Sequence, residues 1–147
     1  MTFRIDDARY ALSLAAVERV FPMVAVSPLP KAPAVAIGVV NIRGAVIPVL
    51  DVGGRFGLPP RNWGPSAHLL VARTPRRIVA LPVDEALGVI EVAEEAITPP
   101  AVVLPKTEYV SGIVALPDGL LFIHDLDAFL SLEEEERLDQ ALGEVEE

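Results

Sequence analysis

Two aspartates at matched places in the chain are the residues best suited to chemistry. Asp51 closes the apolar run Ile47-Pro48-Val49-Leu50, and Asp125 closes Leu121-Phe122-Ile123-His124. Each stands 13 residues after a glycine, Gly38 or Gly112, that heads an aliphatic run. Paired carboxylates from two related lobes can share a proton, as in aspartic proteases. That chemistry would make the chain an acid-dependent hydrolase. Asp51-Val52-Gly53 lacks the hydroxyl of the Asp-Thr-Gly such enzymes carry, and Asp125-Leu126-Asp127 lacks the glycine turn. An aspartate capping the turn after a strand accounts for both positions with ordinary hydrogen bonding. The catalytic pair is retained as an alternative.

Other constellations are poorer. His68 and His124 lie inside apolar, strand-like runs with no second ligand at helical spacing, so both read as structural. Ser13, Ser27, Ser66, Ser111 and Ser131 lack the Gly-x-Ser-x-Gly elbow of a nucleophile. Gly53-Gly54-Arg55-Phe56-Gly57 lacks both the Lys-Ser/Thr end of a phosphate loop and the spacing of a dinucleotide site. There is no cysteine, which rules out disulfides and thiol chemistry. No catalytic residue, metal or cofactor is expected. Arg43 stands apart by its setting. It lies between two apolar runs, beside Asn41 and Gly44, and Gly44 permits a left-handed turn. Arg43 would project from a rigid hairpin with five donors in a planar fork. A solvated arginine and a binding one fit that placement equally.

The elements that must position these residues are short. The 14 prolines forbid long interior helices before residue 125. Phe3-Arg4-Ile5 reads as a strand. Tyr10-Ala11-Leu12-Ser13-Leu14 alternates with period two, the signal of a half-buried strand. Val20–Val24 is extended, and Pro22 suggests a sheet edge. Three hairpins follow: Gly38–Ile42 with Ala45–Leu50, His68–Ala72 with Arg77–Leu81, and Tyr109–Leu116 with Leu120–Ile123 around Pro117-Asp118-Gly119. Ser131 with Glu134 has capping-box spacing, acidic residues fill the first turn, and Leu138, Ala141, Leu142 and Val145 recur helically, predicting a packed surface helix over about residues 132–143.

The chain also repeats itself. The two Gly-to-Asp units are offset by 74 residues, whereas Leu12–Val20 echoes Leu81–Val89 at an offset of 69. A five-residue insertion around Ile97–Lys106 reconciles the two offsets. The repeat places two related copies at approximately residues 10–51 and 79–125, each with enough short strands for a small barrel.

Composition bounds the partners. The net charge of −9, from 12 basic and 21 acidic residues, argues against a nucleic-acid footprint. The longest charge-free runs are 11 residues, short of the roughly 20 a spanning helix needs, so no membrane insertion is expected. Residues 1–30 lack the pattern of a signal peptide. A hydrophobic fraction of 52% and a mean hydropathy of +0.44 require either an unusually rich core or apolar residues on exposed interaction faces.

The run from Gly38 to Asp51, Gly-Val-Val-Asn-Ile-Arg-Gly-Ala-Val-Ile-Pro-Val-Leu-Asp, resembles the G-V-x-N-x-R-G-x-x-x-P-V-x-D pattern of the CheW family of chemotaxis coupling proteins. Tyr10-Ala11-Leu12 with Val17, Leu81-Pro82-Val83-Asp84, Tyr109-Val110-Ser111-Gly112 and Leu126–Leu138 support it in order, so the resemblance covers nearly the whole chain. It implies a mainly β fold: two five-stranded SH3-like β-barrels on a shared core, interleaved in one domain over residues 1–147, with a short C-terminal α-helix. It implies a cytoplasmic, non-catalytic adaptor, recruited to membrane-anchored receptor arrays. There it would couple the cytoplasmic tip of a chemoreceptor to the regulatory domain of a CheA-type histidine kinase. The same fold also serves receptor–kinase pathways with outputs other than motility. The implied contact residues are Val17, Glu18, Arg19, Asn41, Arg43 and Gly44. The receptor tip would enter a groove reached by the Val17 segment and the Arg43 hairpin, and an exposed barrel end would meet the kinase. Family members commonly carry an acid two positions after the residue matching Val17, able to pair with the motif arginine. Here that position is Arg19 and the acid is Glu18. A one-residue shift in a strand turns the side chain to the other face. Either Arg43 lacks that partner, or Glu18 reaches it through a bulge or helical turn.

Overall fold

Backbone hydrogen bonds sort the chain into two sheets that each take strands from both halves. The computed structural model describes residues 1–55, 58, 63–99 and 110–146. The strands are β1 (Thr2–Ile5), β2 (Ala8–Ala11), β3 (Val17–Pro22), β4 (Ala36–Ile42), β5 (Ala45–Leu50), β6 (His68–Arg73), β7 (Ile78–Val83), β8 (Glu85–Gly88), β9 (Ile97–Thr98), β10 (Val110–Leu116) and β11 (Gly119–His124). One sheet has five strands in the order β3-β6-β7-β5-β4; the other has six, β8-β1-β2-β11-β10-β9. Hairpin β6–β7 therefore completes a sheet built by β3, β4 and β5, and hairpin β1–β2 completes one built by β8, β10 and β11. The joins are parallel, Val49 opposite Ala80 and Ile123 opposite Ala11. These two pairs correspond at the offsets of 74 and 69 noted in the sequence.

Irregularities repeat at the same offsets. The β4–β5 register shifts between Ala36 and Gly38, and the β10–β11 register between Val110 and Gly112. The β3–β6 register shifts between Val17 and Arg19, and the β1–β8 register skips Leu87 between Ala86 and Gly88. A bulge bends a strand and sharpens its twist, so each sheet curls at matching points. The extra strand in the second sheet is the two-residue β9, whose Thr98 lies opposite Ile113. In the first sheet Ser27 makes a single bridge to Val39 at the corresponding place. The expected insertion around Ile97–Lys106 falls largely on residues 100–109, outside the described residues, as does Tyr109 of the third hairpin.

The five-stranded sheet is covered on both faces, which accounts for much of the aliphatic content. Leu70, Ala72, Val79, Leu81 and Leu50 join the main core with Phe3, Ile5, Tyr10 and Phe129. The alternate residues Leu69, Val71, Ala80, Val49, Ile47 and Val40 form a second cluster on the opposite face. The C-terminal helix, Leu132–Glu146, seats Leu138 and Ala141 in the main core. Its capping box forms as read: the Ser131 amide donates to Glu134 Oε1 at 3.0 Å, and the Glu134 amide to Ser131 Oγ at 3.1 Å. The helix runs past the expected residue 143, to Glu146. Buried Glu135 accepts from Arg77 Nη2 at 2.8 Å, and Asp139 accepts from the same group, which ties the helix to β7.

Two local expectations need correction. The strand expected over Tyr10–Leu14 stops at Ala11, and Leu14 begins a 3-10 turn over Leu14–Ala16 with 56% of its surface exposed. Alternation alone did not reveal that the chain must turn there to enter the other sheet. The turn of the last hairpin uses Pro117 and Asp118, and Gly119 opens β11 at φ 147°, paired with Leu116.

Gly38 and Gly112 are required by close approach rather than by φ. A Cβ on Gly38 would strike the Ser27 carbonyl oxygen, and one on Gly112 would strike Ile97 Cγ2. Ser27 and Val39 exchange two backbone bonds of 2.8 Å, so that carbonyl cannot withdraw cheaply. Gly38→Ala is expected to destabilise by about 2–3 kcal/mol, within the range for overpacking, and Gly112→Ala by less, since its neighbour is a side chain. Urea unfolding of both variants tests this order.

Candidate functional site: two related clefts

Arg43 is presented by a two-residue hairpin turn. Arg43 has φ 53° and Gly44 φ 86°, the left-handed pair of a type I′ turn that matches strand twist. Asn41 Oδ1 accepts the Gly44 amide at 2.9 Å and ties the turn to its strand. Asn41 and Gly44 thus shape the support, and Arg43 stands exposed on it. Beneath lies a cleft of about 200 Å³, with Phe21, Ile42, Ile47, Val71 and Ile78 for its floor and Glu18, Arg19 and Arg43 at its rim. Val17 is not among its lining residues; it is half-buried and packs on the main core.

The register decides the electrostatics of the rim. Glu18 sits at the β3 bulge, and its Oε1 accepts Arg73 Nε at 2.8 Å. The bulge that could have carried Glu18 toward Arg43 instead delivers it to β6. Arg19, opposite Val71, keeps to the cleft side. The side chains of Arg19 and Arg43 make no hydrogen bond or ion pair with the described residues. The Arg73–Glu18 pair is partly exposed, 60% and 41%, so it adds at most about 1 kcal/mol to stability. Its consequence is local charge.

A second cleft, of about 380 Å³, is the counterpart of the first. Leu87 and Ile90 stand where Glu18 and Phe21 do. Leu116, Pro117 and Leu121 correspond to Ile42, Arg43 and Ile47, and Thr2 and Arg9 to Val71 and Ile78. The chemistry differs. Leu87 and Ile90 are 42% and 45% exposed, with Val89 and Leu120 exposed beside them. Arg9 is spent on Asp118 at 2.6 Å. Both readings of the high hydropathy therefore hold: a sheet buried on both faces, and exposed apolar residues, of which Leu87 and Ile90 line the second cleft while Leu14, Val24, Ile37 and Leu132 lie elsewhere. The second cleft was missed in the sequence, although carrying the first cleft's rim across the repeat offsets would have found it. The floor residues of the first gave no signal, because they look like any strand interior.

The aspartates do not share a site. Asp51 Oδ1 accepts the Gly54 amide at 3.0 Å, capping the helical turn Val52–Arg55. Asp125 lines a different cavity with Ser13, Ser111, His124 and Asp127, and Asp51 is not among its walls. The hydrolase reading gains no support from this arrangement. No cluster of three His, Asp or Glu able to hold a metal occurs among the described residues, and none of their helices is long and apolar enough to cross a membrane.

Two sheets on one core thus present two related clefts at hairpin ends. The chain matches the CheW-like domain model over residues 1–134 and belongs to that family. It is 29% identical over 138 residues to the probable chemotaxis protein CheW of Rhizobium etli, covering 92% of this chain and 89% of that one. It is 27% identical over 130 residues to the chemotaxis protein CheW of Thermotoga maritima, covering 88% and 85%. The crystal structure of the scaffolding protein TtCheW from Thermoanaerobacter tengcongensis superposes with a TM-score of 0.80 at 28% identity, covering 90% of this chain and 92% of that one. As there, the two sheets are SH3-like β-barrels.

His124 offers a check on the packing at the end of β11. It is buried, packs edge-on against Phe129 with ring centroids 5.0 Å apart, and desolvation pushes its pKa from 6.5 down to about 4. The unfolded chain binds a proton below about pH 6.5 that folded His124 refuses until about pH 4. Its contribution is full above that window and is lost as the pH falls through it, about 2 kcal/mol between about pH 7 and about pH 5. His124→Leu, which copies Leu50 at the corresponding place, is expected to flatten this part of the profile. Chemical denaturation at the two pH values measures it.

Proposed function

We propose that the chain is a non-catalytic adaptor that couples the cytoplasmic tips of chemoreceptors to the regulatory domain of a CheA-type histidine kinase. The observation that carries this reading is the pair of corresponding clefts with unlike chemistry on one rigid module. An adaptor needs two docking faces that do not compete, and a charged rim and an apolar mouth select different partners. The membership of a CheW-like domain family, with relatives named as chemotaxis proteins and a structural neighbour named as a scaffold, supports the pathway.

In this reading Arg19 and Arg43 face the receptor tip, with Glu18 fixing Arg73 beside them and Val17, Asn41 and Gly44 as their supports. Leu87, Ile90 and Leu116 meet the kinase's matching barrel. One domain over residues 1–147, with related halves near 10–51 and 79–125, carries both faces. The protein works in the cytoplasm, recruited to membrane-anchored arrays by its partners.

Co-sedimentation with receptor-bearing membranes and the kinase from the same cell tests the proposal; no binding to either partner would refute it. Arg43→Ala is expected to weaken receptor coupling while folding stability changes by no more than about 0.5 kcal/mol, the usual range for a surface position. Leu87→Glu combined with Ile90→Glu is expected to release the kinase and spare the receptor.

A further inference from the structure

The corresponding clefts differ most at their rims, and the difference identifies a partner chemistry. In the second cleft the cation, Arg9, is neutralised by Asp118. In the first the acid, Glu18, is already bonded to Arg73, which leaves Arg19 and Arg43 without a counter-charge among the described residues. This basic rim sits on a chain whose net charge is −9.

We infer that the first cleft takes an acidic segment, in which an apolar side chain is flanked by carboxylates that meet Arg19 and Arg43. The inference deepens the proposed function and rests on its reading that a receptor tip docks at this cleft. Three observations converge on it. The floor is apolar, and about 200 Å³ exceeds the roughly 150 Å³ cavity that holds a benzene ring. Both arginines are rooted in hydrogen-bonded backbone, Arg19 in a strand paired to β6 and Arg43 in the turn that Asn41 braces. Arginine cannot shed its charge near neutral pH, and its fork matches a carboxylate. A docked segment that brought only apolar groups would strip water from two arginines and return nothing. Carboxylates at the flanks remove that penalty. The overall −9 does not oppose this at contact, because charges farther than about 8 Å are largely screened at physiological salt.

The test titrates the receptor's cytoplasmic helical hairpin fragment from the same cell against the wild-type chain, Arg19→Glu, Arg43→Glu and the milder Arg19→Gln. Calorimetry at about 50 mM and about 300 mM salt reads the screening. Each charge reversal is expected to weaken binding at least about tenfold, Arg19→Gln less, and higher salt should weaken the wild-type complex. Replacing the tip carboxylates by lysine, one at a time, should restore binding to Arg19→Glu at one position. Thermal melts confirm that each variant is folded. Wild-type binding that is indifferent to salt, or that Arg19→Glu leaves unchanged, overturns the acidic-partner inference while the docking reading stands. A fragment that fails to bind the wild type at either salt overturns the docking reading and the inference with it.

Discussion

Each sheet is completed by a hairpin from the other half of the chain, through the parallel joins of β5 with β7 and β11 with β2. Everything else in the molecule depends on this exchange. Neither half can close its sheet alone, because its own hairpin is committed elsewhere. The main core is shared for the same reason: Phe3 and Tyr10 from the first hairpin pack in one cluster with Leu70 and Leu81 from the exchanged one. Two barrels joined by a linker would move against each other, since small interfaces within a chain leave domain motion as the default. Interleaved barrels hold their clefts in a fixed relation.

The matched bulges translate the repeat into geometry. Each sheet bends beside Gly38 or Gly112, and each glycine lets the next segment lie close across its strand. The edge strands β3 and β8 carry a second pair of bulges at Glu18 and Leu87, residues that line corresponding clefts. One architecture therefore delivers a carboxylate at one rim and a leucine at the other. The scaffold is symmetric, and the clefts differ in chemistry only through the few side chains it presents. The ion cluster of Arg77 with Glu135 and Asp139 plays a different part. It sits at the shared core and holds the helix, where buried Glu135 would be costly without its arginine.

Features fixed by bonds between near neighbours were legible in the sequence. The hairpin around Arg43 and Gly44, the capping box of Ser131 and Glu134, and the cap by Asp51 all close within three residues of chain. The repeat was legible because both copies keep a glycine at the same bulge and an aspartate at the end of the same strand, although only Asp51 caps the following turn with its side chain and Asp125, against expectation, does not. Leu14 was misread because alternation records burial, and the chain leaves its sheet at Ala11 for reasons that lie in the other sheet. Of the six candidate residues, Glu18, Arg19 and Arg43 meet at one rim, Asn41 and Gly44 build the turn beneath Arg43, and Val17 faces the core.

The sequence by itself thus determined the family, the mainly β fold with its C-terminal helix, and the turn that presents Arg43. Only the tertiary structure decided which partner Glu18 takes, which apolar residues floor the first cleft, and that a second cleft exists. The physical reason is distance along the chain. Glu18 and Arg73 are 55 residues apart and meet only because β3 pairs with β6. A bulge at Glu18 then sets which partner its carboxylate takes, and Arg19 and Arg43 share the rim without it.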